Sequence, residues 1–371
     1  MQKRDLPALD RLETPLSTLA EALTRNPPQV GPGRVAIAIP DGTRPVDVPG
    51  ALTAIAPFLP AGADVVAVVG LGLHRAMRAE ELPASPFRLV QHDPDDTVDT
   101  AVVDGIPGGV SRHIAEADYV LGVGVVEPHQ YAGFSGGHKA VAVGCGARKT
   151  LDALHHRDRV IAAGVEIGRL DGNPFRGAVD RLGEAARCSW TLLQFGPGRW
   201  EAGEPVTALR RAADQIHCWE DVPRRYDAAI LTVPKTKAVN FYQASRAATY
   251  VGLSFDPPLN PGAVLYLDAA CPEGLGEGSG EQAFAAVLAG MPAPWGALLD
   301  GPAPTGAGTQ RAVVLALLLR RFRLVVCGVR DPAPLRALGI DATSAAAQNV
   351  APADALRVTD PFHRIPRFSG G

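Results

Sequence analysis

Lysine is nearly missing from this chain of 371 residues. Of 36 basic residues only Lys3, Lys139, Lys149, Lys235 and Lys237 carry an amine, and the rest are arginine. Cysteine is scarce too: Cys145, Cys188, Cys218, Cys271 and Cys327 are scattered and form no CxxC pair. That excludes a disulfide framework or a zinc knuckle and fits a reducing compartment. Apolar runs stay short, as in Ala312–Leu319, far below the ~20 residues a membrane span requires. No basic block occurs, and 36 basic against 39 acidic residues leave a net charge of −3, which argues against nucleic acid or a membrane surface as the partner. The first residues, MQKRDLPALDRLETPL, are charged and broken by proline, unlike a signal peptide. The expectation is a cytoplasmic protein.

What the chain does have is a large apolar fraction, 46%, together with 40 glycines and 33 prolines. So much apolar surface buries a full core and excludes wholesale disorder. The length suits two domains. Strands are expected at Arg34–Pro40, Asp64–Gly72, Phe87–His92, Tyr119–Val126, Trp190–Phe195, Ala228–Val233, Val264–Ala269 and Arg323–Val329. Helical spacing occupies Val48–Phe58, Arg112–Asp118, Arg148–Arg157, Val206–Trp219, Tyr242–Val251, Glu281–Ala289, Gln310–Arg321 and Thr343–Val350. This alternation predicts an α/β fold of two α/β domains with largely parallel sheets and a cleft between them. The polar stretch Glu220–Arg225 is the expected hinge, dividing residues 1–220 from 225–371, with the segment from about residue 312 free to pack back on the first domain.

In open α/β sheets ligands collect at the carboxyl ends of strands. Four such ends are unusually polar here: Asp41-Gly42-Thr43-Arg44-Pro45, Gly72-Leu73-His74-Arg75, Gln91-His92-Asp93, and Glu127-Pro128-His129 running on through Ser135-Gly136-Gly137-His138-Lys139. Taken singly, a strand-end Asp or Thr is more often a helix cap, and a lone His is more often solvated than catalytic. The glycine-rich loop offers a nest of N–H groups suited to a phosphate or carboxylate. It is not a Walker A loop, because Ala140 follows Lys139, and it lacks the spaced glycines of a dinucleotide fingerprint. A lysine kept there, in a chain that otherwise chooses arginine, suggests a reactive amine, with simple phosphate binding as the competing reading. His155 and His156 sit on the helical stretch LDALHHRD, where exposed histidines are common.

Jointly, GTRP, GLHR, EPHxxxGxSGGxK and the histidine sixteen residues beyond Lys139 resemble the nickel-pincer lactate racemase family. Asp171-Gly172-Asn173-Pro174, Tyr242-Gln243 and Cys271-Pro272-Glu273-Gly274-Leu275-Gly276 are similar to that family's later signatures, so the resemblance runs from about Arg34 to Gly280. It implies an isomerase: a racemase or epimerase that inverts C2 of a 2-hydroxy acid by hydride transfer to and from a nickel-pincer nucleotide. That cofactor is pyridinium-3,5-bisthiocarboxylic acid mononucleotide nickel, made by biosynthesis proteins that would be transient partners. By position, Lys139 matches the covalent attachment point and His155 the nickel ligand, with His156 its nearest competitor. His74 and His129 match the two acid–base histidines. Asp41, Thr43, Ser135, Gly136 and Gly137 fall among the cofactor contacts, while Arg44, Gln243 and Arg246 fall on the substrate.

Two departures bear on the substrate. The lactate racemases carry lysine where this chain has Arg246, and Gly306-Ala307-Gly308-Thr309-Gln310 occupies the region of a family tryptophan. The expected substrates therefore run from lactate to a larger 2-hydroxy acid or a sugar acid. The alternatives from other classes are a metal-dependent hydrolase or nucleotide-using transferase, and a non-catalytic relative that only binds the nucleotide.

Overall fold

The structure is a computed structural model that describes residues 18–291, 293, 295–306 and 308–370; Lys3 and the amino-terminal stretch lie outside the described residues. Six strands form the first sheet: Arg34–Pro40 (β1), Asp64–Gly70 (β2), Arg88–Gln91 (β3), Tyr119–Val125 (β4), Cys188–Gln194 (β5) and Trp200–Gly203 (β6). Their spatial order is β6-β5-β4-β1-β2-β3, and every pair is parallel except β5–β6. The chain moves outward from β1 to β3, then returns to the other side of β1 with β4. That reversal opens a crevice at the carboxyl ends of β1 and β4.

The two faces of β1 are built differently. Val35, Ile37 and Ile39 pack with Leu52 and Ile55 of the helix Val48–Ile55, all at most 1% exposed. Ala36 and Ala38 face the other way, toward Val141 and Cys145. The small side chains let the wide π-type turn Ala140–Gly144, which directly follows Lys139, lie close on the sheet. A Cβ on Gly70 would stand 3.0 Å from the Gly144 backbone, so this approach needs glycine. Turns of this kind recur at functional sites.

A second sheet holds Tyr226–Thr232 (β7), Leu259–Asp268 (β8), Arg323–Cys327 (β9), Asp341–Ala342 (β10) and Leu356–Val358 (β11), all parallel, in the order β10-β9-β8-β7-β11. Its core joins Leu231, Leu265 and Leu267 to Phe241, Tyr250, Phe284 and Trp295. The fold class is thus α/β with largely parallel sheets. The helix Gln310–Leu319 lies against Phe241–Gly252 and Ser279–Ala289, and its Val314 also joins Tyr131, Leu154 and Phe175 of the first half.

Three expectations require correction. The helix placed at Val206–Trp219 is Pro205–Ala213, and Trp219–Val222 is a strand paired in parallel with Ile365–Phe368. The polar hinge is therefore half strand, held by Arg367 and Asp221 at 2.6 Å; a partner 146 residues away leaves no local signal. Thr343–Val350 keeps only one tight turn, Ala347–Asn349, because Thr343 turns its side chain back to the Ala345 N–H. The helix Pro174–Ala185 escaped the periodicity reading, yet Asn173 caps it and Pro174 occupies its first turn.

Candidate functional site

A cavity of about 180 Å³ lies at the β1/β4 crevice. It is walled by the loops after β1, β2 and β4, by His155, by Tyr242, Gln243 and Arg246 of the helix Phe241–Gly252, and by Gln310 and Arg311. Asp41, Arg44, His74, His129, Ser135, Gly136, Lys139, His155, Gln243 and Arg246 all line it. Thr43 and Gly137 stand outside the lining: the Thr43 hydroxyl donates to Asp41 Oδ1 at 2.6 Å, and Gly137 packs on Pro205 and Leu209. His156 caps the short helix Arg157–Val160 and pairs with Asp158.

The two strand-end histidines are held in opposite ways. His74 Nδ1 lies 2.6 Å from Asp41 Oδ2. Burial works to raise the Asp41 carboxyl, but the His74 ring, the Thr43 hydroxyl and Arg44 outweigh it and hold the group well below the usual carboxylate range. An ionised Asp41 makes Nδ1 the donor, so His74 turns Nε2 toward Gln243 Nε2, 3.5 Å away, as a lone-pair nitrogen. At His129 the backbone N–H groups of Tyr131 and Ala132 donate to Nδ1 at 3.3 and 3.1 Å. That nitrogen must accept, which puts the neutral ring's proton on Nε2. Burial, with Lys139, Arg246, Arg44 and Arg311 nearby, pushes His129 well below the usual histidine range. One ring keeps a free lone pair on Nε2 and the other an Nε2–H.

Lys139 Nζ has no hydrogen bond or ion pair among the described residues. Burial first, then the charges of Arg44, Arg246 and Arg176, push its amine well below the ordinary lysine value. His155 donates Nδ1–H to the Leu151 carbonyl at 2.9 Å, which leaves Nε2 with the lone pair. Burial lowers this ring to about 4, so it stays neutral at physiological pH. The Tyr131 ring stands between the two histidines, with centroids 5.8 Å from His129 and 6.2 Å from His155. Its loop is tied down by Asn173 Nδ2, which donates to the Tyr131 carbonyl at 2.8 Å. Among the described residues no three His, Cys, Asp or Glu converge as a metal-holding group.

Three contributors lay beyond sequence reasoning. Arg44 sits 3.6 Å from Glu127, and Glu127 also accepts from His363 Nε2 at 3.1 Å, while His363 Nδ1 donates to Asp360 at 2.8 Å. Lys237 donates to the Thr43 carbonyl at 2.8 Å and fixes the Asp41–Arg44 loop from the second half of the chain. Burial lowers its ammonium to about 7. Lys237 was visible as one of five lysines, whereas His363 and Arg311 carried no motif. The bonds to Asp360 and Glu127 raise His363 to about 9. A raised native value gives stability that is complete below the unfolded value near 6.5 and lost as pH climbs through about 9. The melting temperature of H363Q should therefore fall clearly below wild type at pH 6 and approach it at pH 10, as thermal denaturation at both values will read.

Residues 19–166 match the lactate racemase N-terminal domain. The lactate racemases of Thermoanaerobacterium thermosaccharolyticum and Lactiplantibacillus plantarum align with 27% identity over 123 residues and 29% over 158. Over residues 19–166 the chain is similar to the lactate racemase family. These alignments cover 30% and 38% of this chain but 29% and 37% of the relatives, so the chain spans about a third of the length of the curated relatives it matches. The fold likeness extends further. The lactate racemase apoprotein from T. thermosaccharolyticum superposes with a TM-score of 0.77 at 18% identity, covering 94% of this chain and 93% of that one. A protein from Thermotoga maritima gives 0.72 at 17%, covering 95% and 96%. The family domain contains the Asp41–Arg44 loop, both strand-end histidines, Lys139 and His155, which is the wall of the cavity contributed by the first sheet.

Proposed function

We propose that this chain is a racemase or epimerase of 2-hydroxy acids, working in the reducing cytoplasm with a lysine-tethered nickel-pincer nucleotide. The observation that carries the reading is the Lys139 amine, without a partner among the described residues and depressed by burial, facing a cavity that also holds His74, His129 and His155. The residues present fit the group. Lys139 offers an amine that burial makes easier to deprotonate, as a nucleophile for covalent attachment, and His155 would offer one neutral Nε2 to the metal. Gly136, in the left-handed region at φ +94°, lets the loop backbone approach it. When bound, the group supplies a site that accepts and returns the C2 hydride.

The chain's own residues do the rest. Arg44 suits a bidentate grip on the substrate carboxylate. His74 Nε2 takes the hydroxyl proton, and the ionised Asp41 stabilises the imidazolium that results. His129 Nε2–H donates to the substrate from another part of the wall, and Gln243 orients the hydroxyl near His74. Biosynthesis proteins for the nucleotide would be transient partners. No helix among the described residues is long and apolar enough to cross a membrane. A metal-dependent hydrolase finds less support, because its metal would need the converging ligand cluster that the described residues lack.

The test is to load the chain with the pincer nucleotide, verify the adduct by mass, and screen chiral 2-hydroxy acids for inversion at C2. The expected result is inversion of at least one of them. Full loading with none inverted overturns the reading.

A further inference from the structure

The cavity wall carries more fixed positive charge than one carboxylate neutralises. Arg44 already faces Glu127, but Arg246 and Arg311, 5% and 9% exposed, have no carboxylate in ion-pair range among the described residues. Their hydrogen-bond partners are neutral: Gln243 Oε1 at 3.3 Å and the Tyr250 hydroxyl at 3.0 Å for Arg246, and Gln130 Oε1 at 3.1 Å for Arg311. The Nε of each guanidinium is buried without a partner, and so is the Tyr131 hydroxyl. Aromatic faces hold both cations without neutralising them. Arg311 lies 5.3 Å from the Tyr242 centroid and 6.0 Å from Tyr131, and Arg246 lies 5.5 Å from Tyr250 and 5.6 Å from Phe362. Burying two unpaired cations is costly unless an anion completes the site.

The geometry points to Arg246 and Arg311 as a receptor for a second carboxylate, which makes the substrate a 2-hydroxy dicarboxylic acid rather than one ending in a methyl group. This rests on the 2-hydroxy acid reading above, with Arg44 on the carboxylate next to the reacting carbon. Two planar forks accept a carboxylate through parallel N–H bonds, a geometry a lysine ammonium does not provide. Gln130 positions Arg311 and also accepts from the Thr249 hydroxyl at 3.3 Å, which leaves its oxygen occupied and the guanidinium fixed.

The experiment is titration calorimetry on the full chain without cofactor, using 2-hydroxybutanoate against 2-hydroxybutanedioate, which differ only at the far end. The dicarboxylate should bind about tenfold tighter or more, the scale of one charge-assisted contact out of water. In R311Q the ratio should collapse to about threefold or less, and R311K should retain an intermediate preference. Melting curves verify that each variant folds. A wild-type ratio near one, or an unchanged ratio in folded R311Q, overturns the proposal. So does a matched loss of both acids in R311Q together with weaker binding of nicotinic acid mononucleotide, which would assign Arg311 to the nucleotide phosphate. In the loaded enzyme, equal inversion of both acids overturns the receptor and leaves the racemase standing. Dicarboxylate selection by the chain without any inversion when loaded supports the receptor, and only the racemase reading then falls.

Discussion

Replacing Lys139 with arginine should abolish covalent cofactor attachment and lower C2 inversion by about a thousandfold or more, because the guanidinium keeps the charge but is not a nucleophile at neutral pH. Intact mass reads the adduct and chiral analysis reads the rate. An adduct that persists in K139R, or activity that survives it, overturns the assignment. The same amine gives a readout that needs no cofactor. With its pKa pushed down by burial, Lys139 holds more neutral amine at pH 7 than an ordinary lysine, while Lys149 is paired with Asp99 at 2.5 Å. An acylating reagent small enough to enter the cavity should modify Lys139 first, and peptide mapping will rank the two sites. A stability signature accompanies it. Between the depressed native value and the unfolded value near 10.5, the unfolded chain binds more protons, so wild type loses stability as pH falls through that window. K139M lacks the titrating group and should lack that slope.

Why one lysine could be singled out, and why its neighbours could not, follows from where each signal resides. The strands β1, β2 and β4 are short apolar runs ended by Pro, Gly or Glu, so both their positions and their polar ends were legible. Once their ends converge, Asp41, His74, His129 and Lys139 meet without any long-range knowledge of the chain. Arg311 and His363 reach the site from far along the sequence, 181 residues from Gln130 and 236 from Glu127. Nothing local marks an arginine that will lie over two tyrosine rings among so many other arginines. The strand Trp219–Val222 failed for the same reason: its pairing partner, not its own residues, makes it a strand. Spacing alone left His155 and His156 interchangeable. The turn that ends the helix Arg148–Leu154 separates them, sending one ring into the cavity and the other to Asp158.

The opposed settings of His74 and His129 predict an unlike dependence on Asp41 for two comparable losses. D41N places an amide where the carboxylate was, and its N–H₂ group facing His74 Nδ1 favours the tautomer with the proton on Nε2, which removes the base. D41N and H74Q should each lower inversion by about 10²- to 10⁴-fold with cofactor loading intact. H129Q should lose a similar amount through the missing Nε2–H donor. For a racemase the two enantiomers have equal free energy, so kcat/KM must fall alike in both directions whichever histidine is changed. The asymmetry therefore has to be sought in which histidine depends on Asp41. Only His74 has an ionised carboxylate to orient its ring, whereas burial and the neighbouring guanidinium groups of Arg246, Arg44 and Arg311 keep His129 neutral. The D41N loss should accordingly be absorbed in an H74Q background, where Asp41 has no ring to orient, and persist in full in an H129Q background. A D41N loss that persists in full in H74Q but is absorbed in H129Q would reverse the two roles and place the base on the other ring.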